Sequence, residues 1–284
     1  MISRRNFIKT TALTAAASAF FPRFLQAAQK KVDIGLQLYT VRDQLKEDFT
    51  GTLRKLKKIG YTWLEAAGYS DGQFYGMPPA EFRKAVEGLG MKVISSHATF
   101  SADKQKEAIA AHLELGVKYL VYPGFPIPEH KTKDDFIKAA ARLNAIGAAC
   151  SRAGITFGYH NHDFEFIEMG DTRGYDFLLN YTEPEMVCFE SDIYWMAYAG
   201  IDPMTYFGKY PGRFELWHVK DMKDGPDKGL TEVGTGIIPY AELFKSSDPA
   251  GMKYFFIEQD DCEMDPLESV EISYQNLLAI LTEK

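Results

Sequence analysis

Cysteine is scarce in this 284-residue chain. Cys150, Cys188 and Cys262 are odd in number, far apart, and form no CxxC pair. They read as buried thiols or at most one opportunistic disulfide, not as a stapling framework. Basic charge is also in deficit, with 32 Lys and Arg against 39 Asp and Glu. A phosphate-rich polymer needs a basic face, so a nucleic-acid partner is not expected. Beyond the N-terminus every apolar run is far shorter than a membrane span, so nothing else is expected to cross a bilayer. No GxGxxG follows the first strand candidate, which weakens a dinucleotide-binding reading. No linker-like or low-complexity stretch divides the chain.

The N-terminus is where the exceptions lie. Ser3-Arg4-Arg5-Asn6-Phe7-Ile8-Lys9 matches a twin-arginine export signal. An Ala/Thr-rich apolar stretch follows, then small residues at Ala27-Ala28 where a signal peptidase could cut. No cysteine lies near that point, which argues against a lipoprotein. The expectation is a signal peptide over 1–28, a single domain over 29–284, and a soluble periplasmic or otherwise exported product. Losing Arg4, Arg5, Lys9 and Arg23 with no acid takes the formal charge four units lower, from −7 to −11.

Short apolar runs then alternate with amphipathic stretches. Strand candidates are 33–39, 63–68, 92–98, 119–124, 155–160, 186–192, 214–221 and 254–260. Between them, Leu53, Leu56 and Ile59 share one helical face that stops at Gly60, and Phe82, Ala85, Val86 and Leu89 share another. The segment from Ser269 to the C-terminus reads as a closing helix. Eight strand–helix alternations about thirty residues apart predict an α/β chain folded as a (β/α)8 TIM barrel.

In such a barrel chemistry sits at the C-terminal ends of the strands, and polar residues gather there in this sequence. They are Glu65, His97, His160 and His162, Glu190 and Asp192, His218 and Lys220, and Glu258. Residues two apart on a strand point the same way, so His160/His162, Glu190/Asp192 and His218/Lys220 are each expected to face one side. Buried carboxylates and imidazoles converging on one mouth need compensation. One divalent cation supplies it, and mixed N/O donors suit Mn, Zn, Co or Mg. Singly, Glu65 and His97 could merely bond neighbouring loops, and Lys220-Asp221 could be a surface ion pair. Gly234 and Gly236 in "EVGTG" read as a tight loop more readily than as a phosphate cradle, because no helix start follows directly. Tyr39, Phe100, Tyr194 and Trp195 are lid or core aromatics, and Trp195 could cover a sugar face.

The stretches "GLQLYTVRD" (35–43), "YHNHDFEF" (159–166), "ESDIYWMAYAGIDP" (190–203), "RFELWHVKDM" (213–222), "EVGTG" (232–236) and "IEQDD" (257–261) carry a resemblance over nearly all of the mature chain. Together they resemble the sugar phosphate isomerase/epimerase family of xylose isomerase-like barrels, in an exported branch. The resemblance implies one divalent metal on four ligands from strands five to eight, commonly Glu, Asp, His and Glu. Asp192, His218 and Glu258 match the last three. His160 stands where relatives carry the fifth-strand glutamate, with Glu190 and Glu165 as alternatives for the fourth ligand. His162 falls at the place of a substrate-facing or catalytic histidine in the family's dehydratases. Of the glutamate acid–base pair used by its epimerases, Glu258 remains, and His162 or Glu190 is left as partner, with Lys220 nearby. Tyr39, Glu65, His97, Trp195 and Glu165 are then expected on the substrate side.

The activity implied is metal-dependent enolisation of an unphosphorylated keto-sugar or related polyol. Reprotonation would give isomerisation or epimerisation, and β-elimination would give a lyase or hydratase acting on keto-sugars or keto-glycosides. A nuclease-like phosphoesterase is disfavoured by the acidic charge and by only six histidines. A sugar-binding barrel without catalysis is disfavoured by the joint presence of Asp192, His218 and Glu258. Relatives are often homodimers or homotetramers, and the sequence carries no interface signature of its own.

Overall fold

A computed structural model describes residues 32–124 and 132–283. The expected export signal lies outside them. Eight parallel strands close into a barrel: β1 Gly35–Gln37, β2 Trp63–Ala66, β3 Lys92–His97, β4 Tyr119–Pro123, β5 Thr156–His160, β6 Val187–Asp192, β7 Leu216–Val219 and β8 Tyr254–Ile257. Each pairs with its neighbours in chain order, and β1 closes on β8. All eight fall inside the stretches read from the sequence. Their apolar character follows from burial on both faces, barrel inside and helices outside. Gly35 permits the closure, because a Cβ there would lie 2.4 Å from the Phe256 ring and 2.6 Å from the Phe255 carbonyl. Residues Asp33–Lys284 form one compact unit.

The helices begin and end where the local chemistry demands. α1 (Phe49–Ile59) starts on Asp48, whose side chain accepts from Gly51 N, and stops at Gly60 with φ +135°. α2 (Pro79–Glu87) and α3 (Gln105–Leu115) follow β2 and β3. α4 (Lys133–Ala153) opens on a Thr132/Asp135 capping box and ends at left-handed Gly154. α5 (Gly174–Tyr181) follows β5, and α6 (Ile193–Tyr198) follows β6. α7 (Pro266–Thr282) closes the ring from an Asp265 cap. Among the described residues no helix is long and apolar enough to cross a membrane. The three cysteines are free thiols.

The barrel floor is a plug of Ile94, Tyr119, Val121, Cys188, Leu216 and Phe256. Full burial of such side chains is worth roughly 1.5–3 kcal/mol each. Above this plug the interior turns polar, and that change of layer positions the site.

One buried histidine outside the site sets an acid limit on the fold. His112 on α3 is fully buried; its Nδ1 lies 2.7 Å from Ala108 O and its Nε2 3.2 Å from Ser96 Oγ. Burial pushes its pKa down to about 4. The ring is therefore neutral when folded, while the unfolded chain protonates it near its ordinary value of 6.5. Its stability contribution is complete above that value and is lost as pH falls towards 4, by about 3 kcal/mol. Urea titrations at pH 7 and pH 4.5 should show this loss, and His112→Gln should flatten the slope; an unchanged slope would remove His112 as its source.

Candidate metal centre and active-site mouth

Two tiers of donors meet at the C-terminal end of the barrel; His218 of β7 stands between them, and His160 of β5 also reaches from Glu190 to within 3.6 Å of Asp192 Oδ2. In the lower tier, His218 Nε2 lies 2.5 Å from Glu65 Oε2 and 3.2 Å from Glu190 Oε2. The same Glu190 Oε2 lies 2.6 Å from His97 Nε2 and 3.0 Å from His160 Nδ1. In the upper tier, His218 Nδ1 lies 2.7 Å from Glu258 Oε2 and 3.9 Å from Asp192 Oδ2. Lys220 Nζ joins that tier, 2.9 Å from Asp192 Oδ2, 2.6 Å from Glu258 Oε2 and 2.9 Å from Asp260 Oδ2. Strand register explains the levels: Glu190 pairs with His160 across β5–β6, and Asp192 pairs with His218 across β6–β7.

Burial and close charges pull these groups apart in proton affinity. Burial opposes charge on His218, but Glu190, Glu258 and Glu65 outweigh it and hold the imidazole well above its usual value. Burial drives His97 and His160 down, and pushes His162 to about 4. It raises Glu65, and lifts Glu190 to about 7. Asp192 is also raised by burial, against the pull of Lys220 and His218. For Glu258 burial loses, and Lys220 and His218 hold it well below the carboxylate range. Burial likewise loses at Lys220, which Asp192, Glu258 and Asp260 keep firmly charged.

A surrounding set fixes the donors. Gln37 Nε2 donates to Glu65 Oε2 at 2.9 Å. Asp192 caps α6, its Oδ1 accepting from Trp195 N, which leaves Oδ2 turned to the cluster. Asn161 turns out from between the two mouth histidines; its Oδ1 accepts from Asp192 N at 3.1 Å and from the Tyr175 hydroxyl at 3.3 Å. Glu165 does not join the cluster. Its carboxylate accepts from the Tyr159 hydroxyl at 2.6 Å and from His162 N at 2.9 Å, so it shapes the loop instead of offering a ligand or a substrate contact. The "EVGTG" loop is tight, as its glycines suggest. Gly234 N and Gly236 N already donate to Asp221 Oδ2, and Ile238 N to Asp221 Oδ1, so no amide cradle is open to a phosphate. Lys220 is buried in the upper tier, not on the surface beside Asp221.

Against both tiers lies a cavity of about 320 Å³, lined by Tyr39, His97, His160, His162, Lys220 and Glu258 among the residues singled out from sequence. Glu65 and Glu190 are fully buried beneath it and do not line it. Neither therefore faces the cavity, where Glu65 was expected on the substrate side and Glu190 as a catalytic partner. Trp195 stands beside the mouth, its ring 5.8 Å from that of His162 and 6.0 Å from Lys220 Nζ. Tyr69 and Asp260 also line the cavity and escaped the sequence reading. Asp260 was within reach of the alternation rule, being two residues beyond Glu258. Tyr69 sits in a short hairpin after β2 and Asn161 between two site histidines, so neither carries such a signal.

The donor chemistry fits a divalent cation. Donor atoms of His97, His160, Glu190 and His218 lie within 4.8 Å of one another, as do those of Asp192, His218 and Glu258. Glu65 Oε1 and Glu190 Oε1 are buried and accept no hydrogen bond. A carboxylate–imidazole cluster at the C-terminal mouth of a (β/α)8 barrel defines the class, an enzyme barrel with a site fit for a metal. The chain belongs to the xylose isomerase-like TIM barrel family, whose model matches residues 53–271. A twin-arginine translocation signal model matches residues 1–21 and indicates export. Among solved structures the chain is similar to a sugar phosphate isomerase/epimerase from Parabacteroides distasonis, at 29% identity and a TM-score of 0.79 over 91% of this chain and 97% of that one. It shares its fold with the IOLI protein, whose structure holds a zinc atom, at 13% identity and a TM-score of 0.69 over 88% and 98% of the two chains. An inosose dehydratase from Lacticaseibacillus casei is 25% identical over 158 residues, 49% of this chain and 52% of that protein. The chain thus spans about half the length of that curated relative.

Proposed function

We propose that this exported protein is a metal-dependent enzyme that enolises an unphosphorylated keto-sugar or related polyol, with β-elimination of a hydroxyl or alkoxy group as its outcome. The observation that carries the reading is the Glu258–Lys220 pair, 2.6 Å apart, facing the cavity. Glu258 is positioned to take the proton beside the carbonyl. Lys220 is positioned to deliver a proton to the departing oxygen from the same wall. The cation would be held around His218 and would polarise the substrate carbonyl as a Lewis acid. Among the described residues lining the cavity Lys220 is the sole Lys or Arg, and three carboxylates already hold it. Among the described lining residues no free cation is left for a phosphate, which favours an uncharged sugar. Tyr39 and Tyr69 offer ring faces for its apolar side. The similarity to inosose dehydratases supports the eliminating outcome.

Epimerisation is the second reading, and His162 favours it. Its Nδ1 is buried without a partner, and the residue, two positions past β5, lines the same cavity as Glu258. A neutral imidazole so placed could act as a second base beside Glu258, the two-group arrangement an epimerisation needs. Incubating metal-loaded protein with keto-sugars and keto-glycosides in deuterated water separates the outcomes. An unsaturated or cleaved product is expected; deuterium in an intact isomer would establish the epimerase instead, and absence of both would remove enolisation.

A further inference from the structure

Aromatic rings stand on two opposite sides of the mouth. In the closed ring β1 and β2 lie four strands away from β5 and β6, so Tyr39 and Tyr69 stand across the mouth from the segments that follow β5 and β6. On that far side the rings run in a strip. Phe164 stacks on His162 with centroids 5.4 Å apart and planes at 12°, His162 lies 5.8 Å from Trp195, and Trp195 lies 5.4 Å from Tyr198. His162, Phe164 and Trp195 are half-buried, and Tyr198 is 37% exposed. Of these four, His162 alone lines the cavity, so the strip begins at the cavity wall and continues outside it. The loop after β7 braces its outer end. Lys228 takes a left-handed backbone, φ +50°; its carbonyl accepts from the Tyr194 hydroxyl and its Nζ donates to Tyr198 O, both at 2.7 Å. A residue other than glycine holds that conformation where its surroundings over-determine it.

We propose that this strip is a second-ring subsite: it seats a ring joined to the keto-sugar through the departing oxygen, which makes the substrate a keto-glycoside. This rests on the enolising reading above. A cavity of about 320 Å³ is at the small end of ligand pockets and suits one sugar ring. A second ring then lies outside it, against the aromatic faces that continue from its wall. Both a pyranose, through its C–H faces, and a phenyl ring have the apolar surface that such rings cover. The acid is in place as well, because Lys220 Nζ stands 6.0 Å from the Trp195 ring centroid, where the strip begins. Glu258 takes the proton beside the carbonyl, and the carbon–oxygen bond breaks with its electron pair passing to oxygen. Lys220 protonates that oxygen, so the second ring leaves as its alcohol and the sugar remains as an unsaturated ketone.

The test is calorimetric titration of the metal-loaded protein with methyl β-glucoside, phenyl β-glucoside and cellobiose. Phenyl glucoside, cellobiose or both should bind about tenfold more tightly than methyl glucoside. A gain for cellobiose assigns the strip to a second sugar, and a gain for phenyl glucoside alone assigns it to an aromatic aglycone; either supports the subsite. Equal affinity for all three, or binding of none, would overturn it. In Trp195→Ala and in Tyr198→Ala the preference over methyl glucoside should shrink to about twofold or less, and a preference intact in both variants would overturn the strip as its source. Tyr198 is exposed, so its variant decides the matter even where the loss of Trp195 impairs folding. These probes carry no ketone, so their binding is independent of enolisation. Failure here leaves the enolising reading to stand on deuterium exchange, whereas failure of that exchange with the preference intact would remove the chemistry and leave a glycoside-binding strip.

Discussion

Glu258→Gln is expected to lower the turnover number by about 10²- to 10⁴-fold, the usual scale for removing a positioned general base. The substrate KM should change far less. Glu258 directly follows β8 at the cavity wall, with Lys220 and His218 keeping it ionised. Gln keeps the shape and one acceptor oxygen for those two donors but cannot take a proton. The expected pattern is thus loss of kcat and kcat/KM together, the signature of an interaction made in the transition state. Steady-state kinetics on the metal-loaded variant, with circular dichroism as a check on folding, makes the measurement. Turnover within a fewfold of wild type would take Glu258 out of the chemistry. Rescue by Glu258→Asp, even partial, would point to the carboxylate itself and not to the volume of the side chain.

The barrel was legible because its signals are local and repeated. Each strand is an apolar run bounded by turn residues, and each neighbouring helix shows an apolar face, a cap or a terminating glycine. The family model and the closed eight-stranded sheet agree with that reading. The site was legible in outline for the same reason: polar residues at strand ends must gather at one mouth. Depth was not legible. Alternation says that Glu190 and Asp192 share a face, but the 3.3 Å rise per residue puts them in different layers two steps apart. One lies under the imidazoles and the other beside Lys220. Beyond the end of a strand alternation holds for some residues, as for His162 and Asp260, and not for others: Asn161 turns away and pins Asp192, and Glu165 folds back on Tyr159. The partners of Lys220 come from β6 and β8, and sequence spacing carries no trace of such contacts.

Lys220→Met tests the two-tier arrangement through stability instead of rate. The substitution keeps most of the side-chain volume and removes the ammonium that Asp192, Glu258 and Asp260 surround. Leaving buried carboxylates without their partner typically costs about 3–5 kcal/mol. For a chain of this size each kcal/mol moves Tm by roughly 2–4 °C, so thermal unfolding at pH 7 should begin about 6–20 °C lower. Lowering the pH should narrow the gap to wild type, because protonated carboxylates no longer need a counter-ion. Divalent cations supply the decisive comparison. With Lys220 present, zinc or manganese should add about one ion per chain; in Lys220→Met the vacated upper tier should accept a second and recover much of the lost Tm. A variant as stable as wild type would mean that Lys220 compensates nothing. A destabilised variant that takes up no second ion would mean that the upper-tier carboxylates answer to an ammonium alone.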